Sequence, residues 1–125
     1  MNTSDPIATA YLEHHAEYRP VDLSFMGLPG HDHRLPLTAA STETAERAGI
    51  ARLRALLDSA DASGTAGARL DRRIAASQLS LTEAALDRLP RFANPAWYTG
   101  EAAFAIIGLL LPSGRATPID AVLAR

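Results

Sequence analysis

The sequence contains no cysteine and no lysine. Without cysteine the chain can form neither disulfide bonds nor thiolate metal sites. The twelve basic residues are all arginine, and with fourteen acidic residues the net charge is −2. The chain therefore lacks the strong positive field that attracts proteins to nucleic acids or to anionic membranes. We predict neither a nucleic-acid partner nor a membrane partner.

Aromatic residues are also few, and no long hydrophobic run is present. The longest apolar run covers residues 102–111, about half of the roughly 20 residues that a helix needs to cross a bilayer. The first residues lack the basic segment and apolar core of a signal peptide, so we expect a cytoplasmic protein. A length of 125 residues and an apolar content of 47% are typical of a single globular domain, here 1–125.

Apolar residues recur at helical spacing along most of the chain, and no segment alternates in the manner of a strand. The sequence therefore predicts an all-α protein, a small helical bundle of about four to five helices with one irregular loop at about residues 20–40. Proline steps mark three helix starts, with Asp5, Asn94 and Thr117 as the expected caps. The main helices are expected at residues 6–19, 43–60, 68–89 and 96–111.

Two segments carry expectations about burial. The loop contains Gly27, Pro29, Gly30 and Pro36, which favour irregular structure. Its apolar residues indicate that it is nevertheless packed; these are Leu23, Phe25, Met26 and Leu28. Helix 68–89 carries two apolar faces, which predicts a central helix buried on two sides. The first face holds Leu70, Ile74, Ser77 and Leu81, and the second holds Leu79, Leu86 and Leu89.

The aromatic residues near the start of the last long helix are the first candidates for a binding site. An Asn-Pro step, where the chain must turn between two helices, is preceded by Phe92 and followed by Trp97 and Tyr98. Aromatic side chains at such a junction either form core or line a ligand groove, and the pattern favours core. Asn94 is expected to cap the helix, and its replacement by alanine to cost about 1 kcal/mol.

The histidines are the second set of candidates. His31 and His33 lie two residues apart in the loop, a spacing that allows zinc binding, but a zinc site needs three or four ligands and no further cluster supplies them. The alternative is a pair of hydrogen-bonded or exposed loop histidines. His14 lies on the apolar stripe of the first helix, which favours a core or groove position. We predict no metal site in this chain.

No catalytic set emerges from the residues themselves. No serine lies in a Gly-x-Ser-x-Gly turn, and no glycine spacing forms a phosphate loop. Two pairs of carboxylates lie beside arginines, which indicates that these side chains are on the solvated surface. The pairs are Glu43 with Glu46 and Asp58 with Asp61. Glu43 and Arg47 are spaced for a favourable ion pair along one helix face.

Several motifs, taken in order, resemble the N-terminal region of the bacterial proteins grouped as domain of unknown function 885. Residues 11–18 read YLEHHAEY, residues 26–28 read MGL and residues 31–36 read HDHRLP. Later landmarks are LDRR at residues 70–73 and NPAWYTGEA at residues 94–102. The resemblance covers essentially the whole chain. It implies a mostly helical fold and a relationship to zinc metallopeptidases of the His-Glu-motif class.

The zinc-binding stretch of that family, of the form His-Glu-x-x-Pro-Gly-His-His, is absent from this sequence. Pro29, Gly30 and His31 match three of its letters, but the required His and Glu fall on Phe25 and Met26, which cannot bind zinc or act as a base. The resemblance therefore implies zinc only for the longer relatives and no cofactor here. No catalytic residue carries over to this chain.

Two hypotheses remain open from the sequence. In the first, the chain is a truncated or split N-terminal region that walls or covers the peptide cleft of a metallopeptidase-like hydrolase, with a C-terminal catalytic half or a partner chain. Arg34, Asn94 and Tyr98 would then shape the fold or the cleft. In the second, it is a free-standing helical binding protein without enzyme activity. Both hypotheses allow the protein to form a homo-oligomer.

Overall fold

Six α-helices make up the computed structural model, which describes residues 5–60, 64–88, 93–111 and 119–124. They are α1 (Pro6–Tyr18), α2 (Pro20–Phe25), α3 (Ala40–Ser59), α4 (Ala66–Arg88), α5 (Pro95–Leu110) and α6 (Ile119–Ala124). None of the residues in these ranges forms a strand, which confirms the predicted all-α class. No helix among them combines the length and apolar character that crossing a bilayer requires.

The described residues fall into two compact units, and the boundary between them lies within α1, after His14. The first contains the described residues within 5–14 and 39–88, and the second contains those within 15–38 and 93–124. In the first unit α3 packs on α4, and in the second α5 packs on both α2 and α6. The single domain expected over residues 1–125 stays a prediction. The expectations for Asp61, Leu89, Phe92 and Thr117 concern residues outside the described ranges.

The core of the first unit is an apolar seam between α3 and α4. It is formed by Ile50 and Leu53 of α3 with Leu79 and Leu86 of α4, all buried. Ala10, Tyr11 and Leu57 pack against it from its edges. Ile50, Leu53 and Leu57 are spaced three and four residues apart along the sequence, so they share one face of α3.

Ion pairs border the same seam. Arg54 of α3 binds Glu83 of α4 with both Nε and Nη2, the Nε–Oε2 distance being 3.0 Å. Arg47 lies 3.1 Å from Glu43, as predicted, and 2.7 Å from Asp87 of α4. These side chains are partly exposed, so each pair adds little to stability.

Burial departs from the sequence expectation on both α3 and α4. Glu46 is fully buried, which corrects its assignment to solvated surface. It lies one turn before Ile50 and therefore shares the face that packs inward. The predicted burial of α4 on two sides is wrong, because Leu70, Ile74 and Leu81 of the first predicted face are each half-exposed or more. Only the face with Leu79 and Leu86 meets α3.

The segment predicted as an irregular loop from residue 20 begins instead with a helix. Pro20 is the first residue of α2, where its missing N–H costs no hydrogen bond, and Asp22 lies in the first turn, where a carboxylate is favoured. Irregular structure follows from residue 26 to residue 39. Leu23 is packed as expected, whereas Phe25, Met26 and Leu28 are exposed, which corrects their predicted burial.

Asp5 links the start of α1 to α4. Its Oδ1 accepts a hydrogen bond from the backbone N–H of Ile7 at 2.8 Å, which confirms the predicted cap. Its Oδ2 accepts one from Nε of Arg72, also at 2.8 Å. The Ile7 N–H and the Arg72 guanidinium both favour the ionised carboxylate, and they lower the pKa of Asp5 below its usual value of 3.8.

The lowered pKa predicts how acid affects stability. Ionised Asp5 stabilises the fold fully above pH 3.8, and this contribution disappears as the pH falls through the lower pKa of the folded state. In Asp5→Asn the cap is kept but the charge is lost. Urea unfolding should therefore show wild type more stable than Asp5→Asn at pH 6, with the difference shrinking below pH 3.8.

Asp71→Asn is the matched control, since Asp71 is an exposed aspartate next to Arg72 in sequence. It should leave the acid dependence of unfolding close to that of wild type. A difference between wild type and Asp5→Asn that stays constant from pH 6 down to pH 2 would contradict the role of the Asp5 charge.

Two glycines lie where a helix is closely approached by a ring. A Cβ at Gly49 of α3 would lie 2.6 Å from Cε1 of His14, and one at Gly108 of α5 would lie 2.8 Å from Cδ2 of Phe25. Neither distance is tolerated by real side chains, so both contacts require glycine or a shifted ring. By contrast, a Cβ at Gly100 of α5 would meet no atom within 4 Å.

Gly100 and Gly108 therefore form a matched pair within one helix. Gly100→Ala should raise the free energy of unfolding by about 0.5–1 kcal/mol, because alanine is the better helix former. Gly108→Ala should lose that gain, because overpacking against Phe25 costs about 1–3 kcal/mol. Urea unfolding of both variants measures the difference. Equal stabilisation by the two substitutions would refute the close contact with Phe25.

Candidate functional site

The second unit contains a pocket between α2 and α5. It is a cavity of about 410 Å³, a size that suits a small organic ligand or part of a peptide. It is lined by Val21, Asp22, Phe25, Met26, Glu101 and Phe104. We take it as the candidate functional site, because a concave, largely apolar surface with a few polar groups is the usual form of a binding site.

Local sequence places these residues on facing surfaces. In α2, Val21 and Phe25 are four residues apart, so both lie on one side of this short helix. In α5, Glu101, Phe104 and Gly108 follow each other at helical spacing. The small Gly108 leaves room for the Phe25 ring, which meets Phe104 edge to face, with ring centroids 6.0 Å apart.

The charged groups of the pocket are both carboxylates. Asp22 is contributed by α2 and Glu101 by α5, and the remaining described lining residues are apolar. Nε2 of His15 lies 3.4 Å from Oδ2 of Asp22, yet the Asp22 side chain is still half-exposed. The site therefore presents an apolar, partly aromatic floor with negative charge on both helices.

Trp97 and Tyr98, the predicted groove residues, lie at the start of α5. Their rings meet edge to face with centroids 5.0 Å apart, and Trp97 is half-buried. Trp97 is one helical turn before Glu101, but neither aromatic residue is among those that line the pocket. Their assignment to a ligand groove or cleft stays a prediction.

The other predicted site residues lie at separate positions. His14 belongs to the first unit, where its ring covers Gly49. Arg34 is half-buried in the segment after α2, and its backbone N–H donates to the carbonyl of His31 at 3.0 Å. Asn94 directly precedes α5. Roles for these residues in a cleft stay predictions.

His31 is half-buried and His33 is exposed in the same irregular segment. Over the described ranges, no three histidine, aspartate or glutamate side chains are grouped so that they could hold a metal ion. The structure therefore supplies no third ligand there for the His31–His33 pair, which the sequence presents as a weak zinc candidate.

Sequence reasoning missed the residues that form the pocket. Phe25 and Met26 were expected to be packed loop residues, and Phe104 to be part of an apolar run. A proline followed two residues later by aspartate, as at Pro20 and Asp22, was the available signal for α2. Even with α2 recognised, periodicity does not tell which face of α5 it would meet.

Comparison of the chain with family models, with curated proteins and with solved structures returned no match. The resemblance to domain of unknown function 885 is not tested by these comparisons and stays a prediction.

The structure corrects the expected cap at Asn94 and so changes one prediction. Asn94 occupies the N-cap position of α5, but its side chain makes no capping hydrogen bond. Asn94→Ala should therefore be close to neutral, within about 0.5 kcal/mol, instead of costing about 1 kcal/mol. Thermal or urea unfolding measures the change.

Thr65 provides the matched comparison, because its Oγ1 accepts a hydrogen bond from the backbone N–H of Ala68 at 3.1 Å and so caps α4. Thr65→Ala should destabilise by about 1 kcal/mol. If Asn94→Ala destabilised as much as Thr65→Ala, the absence of a capping bond at Asn94 would be refuted.

Proposed function

We propose that this chain is a non-catalytic helical region of a metallopeptidase-like hydrolase, in which it walls or covers a peptide-binding cleft. The catalytic zinc would be held by a C-terminal half or by a partner chain. The proposal includes a cytoplasmic location, which fractionation of the source cells would test. It starts from the resemblance to domain of unknown function 885, whose longer members resemble zinc peptidases.

The observation that carries the proposal is the exposed apolar face of α6. The side chains of Ile119 and Leu123 are 68% and 80% exposed, and they are four residues apart on one face of the helix. An isolated helix of this length is not stable in water, so α6 depends on what it packs against. It contacts α5 within the second unit, yet this apolar face remains open. Such a face supports a further contact with another part of the enzyme.

A second candidate function is supported by a different observation. The pocket between α2 and α5 is large enough for a small ligand and is formed within one unit. This favours a free-standing helical binding protein without enzyme activity. The two candidates differ in what the protein associates with, and one experiment distinguishes them.

The mass of the native protein and the chains that co-purify with it test the proposal. An antibody against this chain should detect either a band several times larger than 13.3 kDa or a 13.3 kDa band that co-purifies with a zinc peptidase chain. The purified species should cleave peptides, and a chelator should abolish cleavage. A 13.3 kDa protein alone, without chelator-sensitive peptidase activity, would refute the enzyme proposal and favour the binding protein.

The role of α6 predicts the effect of a charged substitution there. Ile119→Glu together with Leu123→Glu should weaken peptidase activity at least about tenfold. The reason is that two carboxylates would be buried in the proposed contact between α6 and the rest of the enzyme. The helix content measured by circular dichroism should remain the same. Leu12→Glu, at an exposed apolar position of α1, is the control and should leave the activity unchanged.

A further inference from the structure

We propose that the exposed face of α4 binds a second copy of this chain, with the two α4 helices packed antiparallel as a short coiled coil. This face carries an apolar stripe of Leu70, Ile74, Ser77 and Leu81, on the side of the helix opposite the one that packs on α3. The inference concerns the first unit alone. It depends neither on a peptidase partner nor on the pocket between α2 and α5.

The spacing of the stripe indicates that its partner is a helix. Its members follow one another after four, three and four residues, the repeat in which apolar residues form the seam of a coiled coil. All four are exposed, and the exposed fractions of Leu70, Ile74 and Leu81 are 55%, 50% and 63%. Because α4 already packs on α3 with a separate buried face, the exposed stripe is available to a helix from another molecule.

The sizes of the side chains favour an antiparallel copy. A two-fold axis at the level of Leu79 would place Leu81 opposite Ser77 of the second copy. The same axis would place Ile74 opposite Ala84, which is also exposed. Each of these layers combines one large with one small side chain, so the two surfaces can interdigitate. In a parallel pair each residue would meet its own copy, and layers of two large side chains would alternate with layers of two small ones.

The charges beside the stripe complement each other in the same register. One flank of the stripe carries Arg73 near the start of α4 and Asp87 near its end. Antiparallel copies bring the same flanks together, so Arg73 would lie opposite Asp87 of the second copy, twice by symmetry. Asp87 already binds Arg47 through Oδ1 at 2.7 Å, but its side chain is 67% exposed and a carboxylate accepts several hydrogen bonds. A second guanidinium can therefore approach it.

The contact is short, which determines how strongly the copies should associate. Leu70 and Leu81 are about 17 Å apart along the helix axis. A contact of this length falls in the class of small interfaces that form and dissociate readily. We therefore expect mostly monomer at about 10 µM and mostly dimer at about 1 mM.

Sedimentation equilibrium of the full chain over this range of concentration tests the proposal. Ile74→Glu should weaken the dimer at least about tenfold, because two carboxylates would be buried in one seam. Leu56→Glu is the matched control, since Leu56 is 47% exposed on α3 in the same unit, and it should leave the association unchanged. Circular dichroism of each variant verifies that the fold is retained.

An exchange of charges tests the direction of the helices. Arg73→Asp should weaken the dimer about tenfold, because a carboxylate would then face Asp87 of the second copy at two symmetric positions. Arg73→Asp combined with Asp87→Arg should bring the dissociation constant back to within about threefold of wild type, since opposite charges face each other again.

Three outcomes would overturn the proposal. A chain that stays monomeric at about 1 mM would refute self-association and assign the stripe to a helix of a different protein. A dimer that is unaffected by Ile74→Glu would place the interface on another surface. A dimer that Ile74→Glu dissociates, but that the combined charge exchange does not restore, would refute the antiparallel register.

Discussion

In both units a side-chain ring packs directly against a glycine of a helix, and this close contact constrains the packing of that unit. The His14 ring lies over Gly49 in the first unit, and the Phe25 ring lies over Gly108 in the second. In each unit a Cβ atom at the glycine would clash with the ring and displace it. The position of Phe25 then determines its edge-to-face contact with Phe104, and so the shape of the pocket. A single small residue thus controls the candidate site.

The chain leaves many large apolar side chains exposed, and their distribution is informative about function. Ile119 and Leu123 form an open face on α6, and Phe104 faces the pocket on α5. Large apolar patches on a protein surface mark contacts with other molecules more often than chance. The two candidate functions use different patches of the same unit: α6 for a protein contact and the α2–α5 pocket for a ligand.

Polar groups in the first unit show how burial changes the role of a residue. Glu46 and Asp5 are both acidic, and charge alone places both at the surface. Glu46 is instead fully buried on the inward face of α3, and Asp5 connects the first turn of α1 to Arg72 of α4. The cap at Asp5 could be recognised because it depends on residues next to it. Its bond to Arg72 could not, because 67 residues separate the two.

The sequence by itself determined the bounds of α1, α3, α4 and α5 to within a few residues, since proline, glycine and capping residues act within a few positions of themselves, but it did not reveal α2. It also determined the buried stripe with Ile50 and Leu53, because that stripe is part of the helical period. Only the tertiary structure decided that Leu70, Ile74 and Leu81 stay exposed and that Phe25 and Phe104 meet. Periodicity shows which residues share a face, but packing between distant segments decides which face is covered.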